Sequence, residues 1–114
     1  MVLRGVDGLV FVASSLQSQR KENMLSLKDL QQNLEKYDIS IFKIPLVFQY
    51  NKRDLEGQGE PLMPVDNMEK ELNGQLKTPS FPASALNGRG VGDTLKKSLS
   101  LTLQAIQKEV SWTK

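Results

Sequence analysis

Asn51-Lys52-Arg53-Asp54 puts an amide, two cations and a carboxylate in four consecutive positions, directly after the apolar run 44–50, IPLVFQY. A carboxylate held in place accepts two parallel N–H bonds at once, a charge-assisted pair. Guanine offers such a pair, because its N1–H and its exocyclic N2–H₂ point the same way. Asp54 is the residue that could take both. The aliphatic stem of Lys52 can lie flat on a ring face while its ammonium stays in water. Asn51 carries a donor for N7 and can also tie neighbouring loops together. The remaining O6 wants a donor that cannot rotate away, which a backbone N–H in a second loop supplies. Ser84-Ala85 offers such a loop after the next apolar segment, with side chains small enough for close approach of the main chain. The same residues also fit a plainer reading, a solvated turn in which Asp54 caps the start of a helix.

Composition narrows the rest. The chain has 114 residues, 39% apolar and 25% charged, which suits one globular domain at most and is wrong for a disordered tail. The net charge of +2 is small and its cations are dispersed, so no nucleic-acid footprint is expected. With no histidine and no cysteine, histidine-based acid–base chemistry, thiolate metal sites and disulfides are excluded for these residues. Absence of cysteine fits a reducing cytoplasm, the expected location. The apolar run Leu9 to Ala13 is far too short to span a membrane.

The patterning gives the elements that must position Asp54. Leu9 to Ala13, LVFVA, and 44–50, IPLVFQY, are continuous apolar runs, as strands covered on both faces read, with Pro45 at the start where a missing N–H costs least. Between them Met24, Leu27, Leu30, Leu34 and Tyr37 fall at spacings of three and four, one stripe of a helix over 20–37. Residues 56–64 are loop. Asp66 and Glu69 resemble a capping box opening a short helix that Gly74 closes. PSFPAS, 79–84, reads as a short strand between prolines, and NGRGVG as a loop. Leu95, Leu99, Leu103, Ile106 and Val110 form the stripe of a last helix, expected to face the core. At the other end, 1–5 reads as a last helical turn with Gly5 as its C-cap. Strands alternating with crossover helices imply an α/β fold with a parallel sheet of about three strands and helices on its faces. Ligands of such sheets bind beyond the carboxyl ends of the strands, where Asn51 to Asp54 and Ser84 to Leu86 both lie.

These stretches resemble the carboxyl half of a Ras-like small GTPase. NKRD corresponds to the family's base-specificity motif through Asn51, Lys52 and Asp54. Ser84, Ala85 and Leu86 resemble its Ser-Ala-Lys motif, with Leu86 in place of the lysine. More closely, the chain resembles the bacterial gliding-motility GTPases, in VLRGVDGLVFVAS, KIPLVFQYNKRDL and NGRGVGDTLK, and the likeness covers essentially all of it. Ser14 departs from the acidic residue often found there. The resemblance implies a guanine site made of Asn51, Lys52, Asp54, Ser84, Ala85 and Leu86, with GTP or GDP as ligand. It also implies a role in cell polarity, and a small dimeric GTPase-activating protein as partner of the full-length family.

Family members carry a G-x-x-x-x-G-K-[ST] loop that cradles phosphates, a Mg²⁺-binding threonine and a switch segment. None occurs in this sequence. Residues 1–114 are therefore expected to form a single partial domain, P-loop-NTPase-like but lacking the first strands and the phosphate-binding loop. No residue is assigned to catalysis, to Mg²⁺ or to an attacking water, and no hydrolysis by this chain alone is expected. In the Ras-like sheet an absent strand would lie beside Leu9 to Ala13, leaving an apolar edge. Two rivals stand beside this reading. One is a degenerate GTPase-like module that keeps only protein contacts. The other is a receiver-like domain, which lacks its acceptor aspartate because Ser14 and Ser15 stand at the first strand's end.

Overall fold

The computed structural model describes residues 8–84 and 87–112, the last seven of them as backbone. Three strands, β1 (Leu9–Ser14), β2 (Leu46–Asn51) and β3 (Ser80–Pro82), form one parallel sheet in the order β1-β2-β3. Helix α1 (Arg20–Glu35) connects β1 to β2, α2 (Val65–Leu72) connects β2 to β3, and α3 (Val91–Trp112) follows β3. The α/β fold with a three-stranded parallel sheet is thus observed. Phe11 pairs with Phe48 and Ser14 with Asn51, so β1 and β2 end side by side. Pro45 sits one residue before β2, where its carbonyl accepts the N–H of Leu9 at 2.9 Å. The expected turn around Gly5, and the Ala85 and Leu86 assignments, lie outside the described residues.

Two right-handed crossovers in the same direction place α1 and α2 on one face of the sheet. That face carries Phe11, Ala13, Phe48 and Tyr50, which pack with Leu34 of α1 and with Met68 and Leu72 of α2. Phe11 and Phe48 meet edge to face at 5.5 Å, a geometry that contributes beyond simple burial. Helix α1 ends through Asp38 in the left-handed region (φ 60°). The Ile39 N–H donates to the Leu34 carbonyl at 2.9 Å, closing the helix end without a glycine.

Helix α3 packs across the other face, and there the expected stripe is overturned. Leu95, Leu99 and Leu103 are 58%, 61% and 48% exposed, while Thr94 is fully buried. The helix lays its small residues against the sheet. The Thr94 hydroxyl donates to the Gly90 carbonyl, and a Cβ on Gly8 at the start of β1 would run into the Thr102 hydroxyl. A close helix–sheet approach needs small side chains at the seam, and that rotates the leucines outward. Val12, on the same face of the edge strand β1, is also more than half exposed. Ile106 and Val110 of that stripe have no described side chains.

Smaller differences have equally local causes. Met24 and Tyr37 of the α1 stripe are exposed, and Asn23 is buried in place of Met24. The expected capping box does not form. Pro64 is the N-cap of α2, so Asp66 lies inside the first turn, and Glu69 turns inward to the Tyr50 hydroxyl. Gly74 follows the Asn73 C-cap with ordinary φ, and glycine is needed there because a Cβ would stand 2.6 Å from the Lys70 carbonyl oxygen.

Candidate functional site

The polar cluster after β2 is not a free turn. As β2 ends, Lys52 takes the left-handed conformation, φ 69° and ψ 24°, and starts a single tight turn of 3-10 helix, Arg53–Leu55. A β-carbon in that region costs about 1–2 kcal/mol, so the surroundings must hold it there. They do so through Arg53. Its backbone N–H donates to the Ala83 carbonyl at 3.0 Å, and its guanidinium donates to the Met63 carbonyl at 2.7 Å. The Ala83 N–H in turn donates to the Tyr50 carbonyl at 2.8 Å. The Asn51–Asp54 segment and the start of the Ser84 loop are thereby laced together at the carboxyl edge of the sheet.

Asp54 caps nothing: the cap of its turn is Lys52, with no side-chain hydrogen bond. Its carboxylate is partly buried and makes no hydrogen bond or ion pair among the described residues. That removes the capping role the plainer sequence reading gave it. Asn51 is partly buried and engaged.

The second loop is shaped by Ser84 and Gly90. Ser84 is 2% exposed, its N–H donates to the Arg89 carbonyl at 2.8 Å, and its hydroxyl accepts the N–H of Asn87 at 3.3 Å. Its hydroxyl thus folds a tight local loop. Gly90 has φ 76°, and a Cβ there would lie 2.9 Å from the Ala83 Cα. Only glycine lets the 87–90 turn close on the end of β3. Of the six expected site residues the structure brings together Asn51, Lys52, Asp54 and Ser84; Ala85 and Leu86 fall outside the described residues.

Three contributors to the architecture of this edge were not singled out from the sequence. Arg53 occupies the variable position of the motif, and nothing in the spacing marks it. Gln19, in the turn Gln17–Gln19 after β1, accepts from the Lys52 ammonium at 3.2 Å. Asn23 pairs its side-chain amide with both backbone groups of Ser14, accepting from its N–H at 3.1 Å and donating to its carbonyl at 2.8 Å. Its position in the first turn of α1, just past a strand end, was the one available signal. A primary amide supplies both the acceptor and the donor that the N–H and carbonyl of a strand end need as partners.

Behind the site, buried Tyr50 and half-buried Glu69 form a polar pair. Burial, then the hydrogen bond to Glu69 and its charge, push the Tyr50 hydroxyl well above the usual tyrosine range. Burial also pushes Glu69 up, but hydrogen bonds from Ser80, Tyr50 and Asn73 outweigh it and leave the carboxyl below its usual value. This pair anchors α2 to β2 and lies inside the sheet's packed face, away from the loop edge.

A cavity of about 450 Å³ lies at the opposite end of the sheet, lined by Pro45, Leu46, Thr78, Pro79 and Leu101. It opens at the amino ends of the strands, away from the carboxyl ends at which open α/β sheets bind their ligands. Among the described residues no three acidic groups gather as a metal site, and no helix is long and apolar enough to cross a membrane.

Fold and site define an α/β protein with two polar loops laced together beyond the carboxyl ends of a parallel sheet. Within that class the chain is related to the Mutual gliding-motility protein MglA of Myxococcus xanthus (strain DK1622). The two are 43% identical over 108 residues, 95% of this chain and 53% of MglA. The chain therefore spans about half the length of the curated relative that it matches. No protein-family model matches it. The resemblance to the gliding-motility proteins drawn from the NKRD and flanking stretches is borne out.

Proposed function

We propose that this chain is the guanine-recognising half of a Ras-like small GTPase of the gliding-motility type, with Asn51, Lys52, Asp54, Ser84, Ala85 and Leu86 around the base. The observation that carries this reading is the bond from the Arg53 N–H to the Ala83 carbonyl. It sets the uncommitted Asp54 carboxylate and the Ser84 loop on one edge, where a single flat base can meet both. GTP or GDP is the ligand the family implies. Residues 1–114 act as a single partial domain, cytoplasmic, and take no part in phosphate or Mg²⁺ binding, because the sequence has no loop for either. The role that MglA's name gives it, gliding motility, comes with this reading, as do cell polarity and a small dimeric activating protein for a full-length form.

A base site without a phosphate loop binds weakly. Hydrogen bonds to a charged group contribute about 1.5–3 kcal/mol each, and immobilising the ligand offsets much of that. A dissociation constant near 1 mM, roughly −4 kcal/mol, is the expected scale, and no hydrolysis is expected.

The test follows amide chemical shifts of the 114-residue chain titrated with GMP, XMP and AMP to several millimolar. GMP should shift residues 51–54 and 84 selectively. Asp54→Asn turns one acceptor into a donor, so preference should move to XMP, whose ring carries a carbonyl at position 2. Unchanged GMP and XMP affinities would show that Asp54 does not read a base, and micromolar GDP binding would overturn the account of the absent phosphate loop.

A second reading, an interaction module without catalysis, draws on one observation, the exposed Leu95, Leu99 and Leu103 beside Val12. The two readings separate in the same titration, since the module shows no preference among the three nucleotides.

A further inference from the structure

The Lys52 side chain has a described partner, and that partner is not a carboxylate. Its ammonium donates to the Gln19 side-chain carbonyl, 33 residues away in sequence, at 3.2 Å. The turn that carries Gln19 is closed on itself and pinned to the segment 61–62. The Gln17 N–H donates to the Pro61 carbonyl at 3.0 Å, the Gln19 N–H donates to the Leu16 carbonyl at 3.0 Å, and Leu16 bridges to Leu62. Just before it, Asn23 clamps both backbone groups of Ser14 at the end of β1. The acceptor therefore stands on a fixed platform. At the other end of the same lysine, the left-handed backbone of Lys52 fixes where its stem departs.

We infer that Gln19 is a positioning residue for Lys52, making the turn after β1 a third wall of the base site. This rests on the guanine reading above. A lysine stem that must lie flat along a ring loses rotamer freedom when the base arrives. Tying both ends beforehand means that part of this loss is already incurred in the free protein, which favours binding. An amide suits the task better than a carboxylate. It directs the ammonium without neutralising it, and it costs less to desolvate in a partly buried position.

The magnitude follows from the cost of immobilising one rotamer-rich side chain, which corresponds to a change in affinity of about 2- to 10-fold. The experiment is a double-mutant cycle on the 114-residue chain, with GMP and AMP as probes and amide shifts as the readout. Gln19→Leu should weaken GMP binding by about 2- to 10-fold while leaving the amide shifts of β2 and α2 in place. Gln19→Ala also removes the acceptor and should weaken GMP binding to a similar degree, and it serves as the readout if the leucine variant fails to fold. In the Lys52→Met background, which keeps the stem and loses the ammonium, Gln19→Leu should have almost no further effect.

A Gln19→Leu variant that binds GMP like the unaltered chain, or that weakens it equally in the Lys52→Met background, overturns this inference alone. An unaltered chain that shifts identically with GMP and AMP overturns the guanine reading, and the inference falls with it.

Discussion

Replacing Leu95, Leu99 and Leu103 together by glutamine separates the observed placement of α3 from the one its periodicity suggests. In the structure these side chains are 58%, 61% and 48% exposed, so the three together bury little more than one leucine's worth of surface. Complete burial of a leucine contributes about 1.5–3 kcal/mol, which sets the upper limit for the triple change at roughly 2–4 kcal/mol. Glutamine keeps two of the methylene contacts and has nearly the same helix propensity, so the expected loss is about 1–3 kcal/mol. Had the stripe been core, each truncation would cost about 2–5 kcal/mol, and the sum would match the whole stability of a domain this size, about 5–15 kcal/mol. Urea unfolding followed by circular dichroism measures the difference. The glutamine variant should unfold cooperatively at a modestly lower midpoint with an unchanged slope. It should also associate less in sedimentation velocity, because the same leucines, Val12 and the β1 edge form the apolar side of the chain. A variant that fails to fold, or loses more than about 5 kcal/mol, would refute the outward rotation of the stripe.

Two further outcomes follow from the loop and the polar pair behind it. Lys52→Gly relieves a left-handed β-carbon worth about 1–2 kcal/mol but frees the unfolded chain and loses the Gln19 contact. Urea midpoints should therefore stay level or rise slightly while the GMP-induced shifts weaken; a clear loss of stability would mean that the lysine, not the surrounding bonds, holds the turn. Glu69 has its folded carboxyl below the ordinary 4.5, so its share of stability is complete above that pH and is lost as pH falls through the lower folded value. Tyr50, raised from 10.0, adds the opposite arm: its share is complete below pH 10 and is lost as pH climbs beyond it. Tyr50→Phe should cost about 1.5–3 kcal/mol at pH 7 and abolish the alkaline loss. If stability against pH in that variant overlays the unaltered chain, the pair does not hold α2 to β2.

What the sequence determined by itself was the extent and order of the elements, which depend on a residue and its near neighbours. Apolar runs of five to seven residues marked β1 and β2 to within a residue or two, and Pro45 marked where β2 begins. The crossover helices made the sheet parallel, and the order of types in Asn51-Lys52-Arg53-Asp54 carries the proposed base recognition. The tertiary structure decided which way each helix faces and which polar groups share work. Periodicity specifies a stripe but not the neighbour it meets. On α1 the need to satisfy the backbone of Ser14 drew Asn23 inward and left Met24 in solvent. On α3 close contact with the sheet selected Thr94 and Thr102 over the leucines. Glu69 reads as half of a capping box until Tyr50, nineteen residues away, presents a buried hydroxyl to it. Arg53 and Gln19 carry no local signal at all, because their partners Ala83, Met63 and Lys52 come within reach only once the strands are in register. Hydrogen bonds between distant segments depend on distances that one-dimensional spacing does not contain.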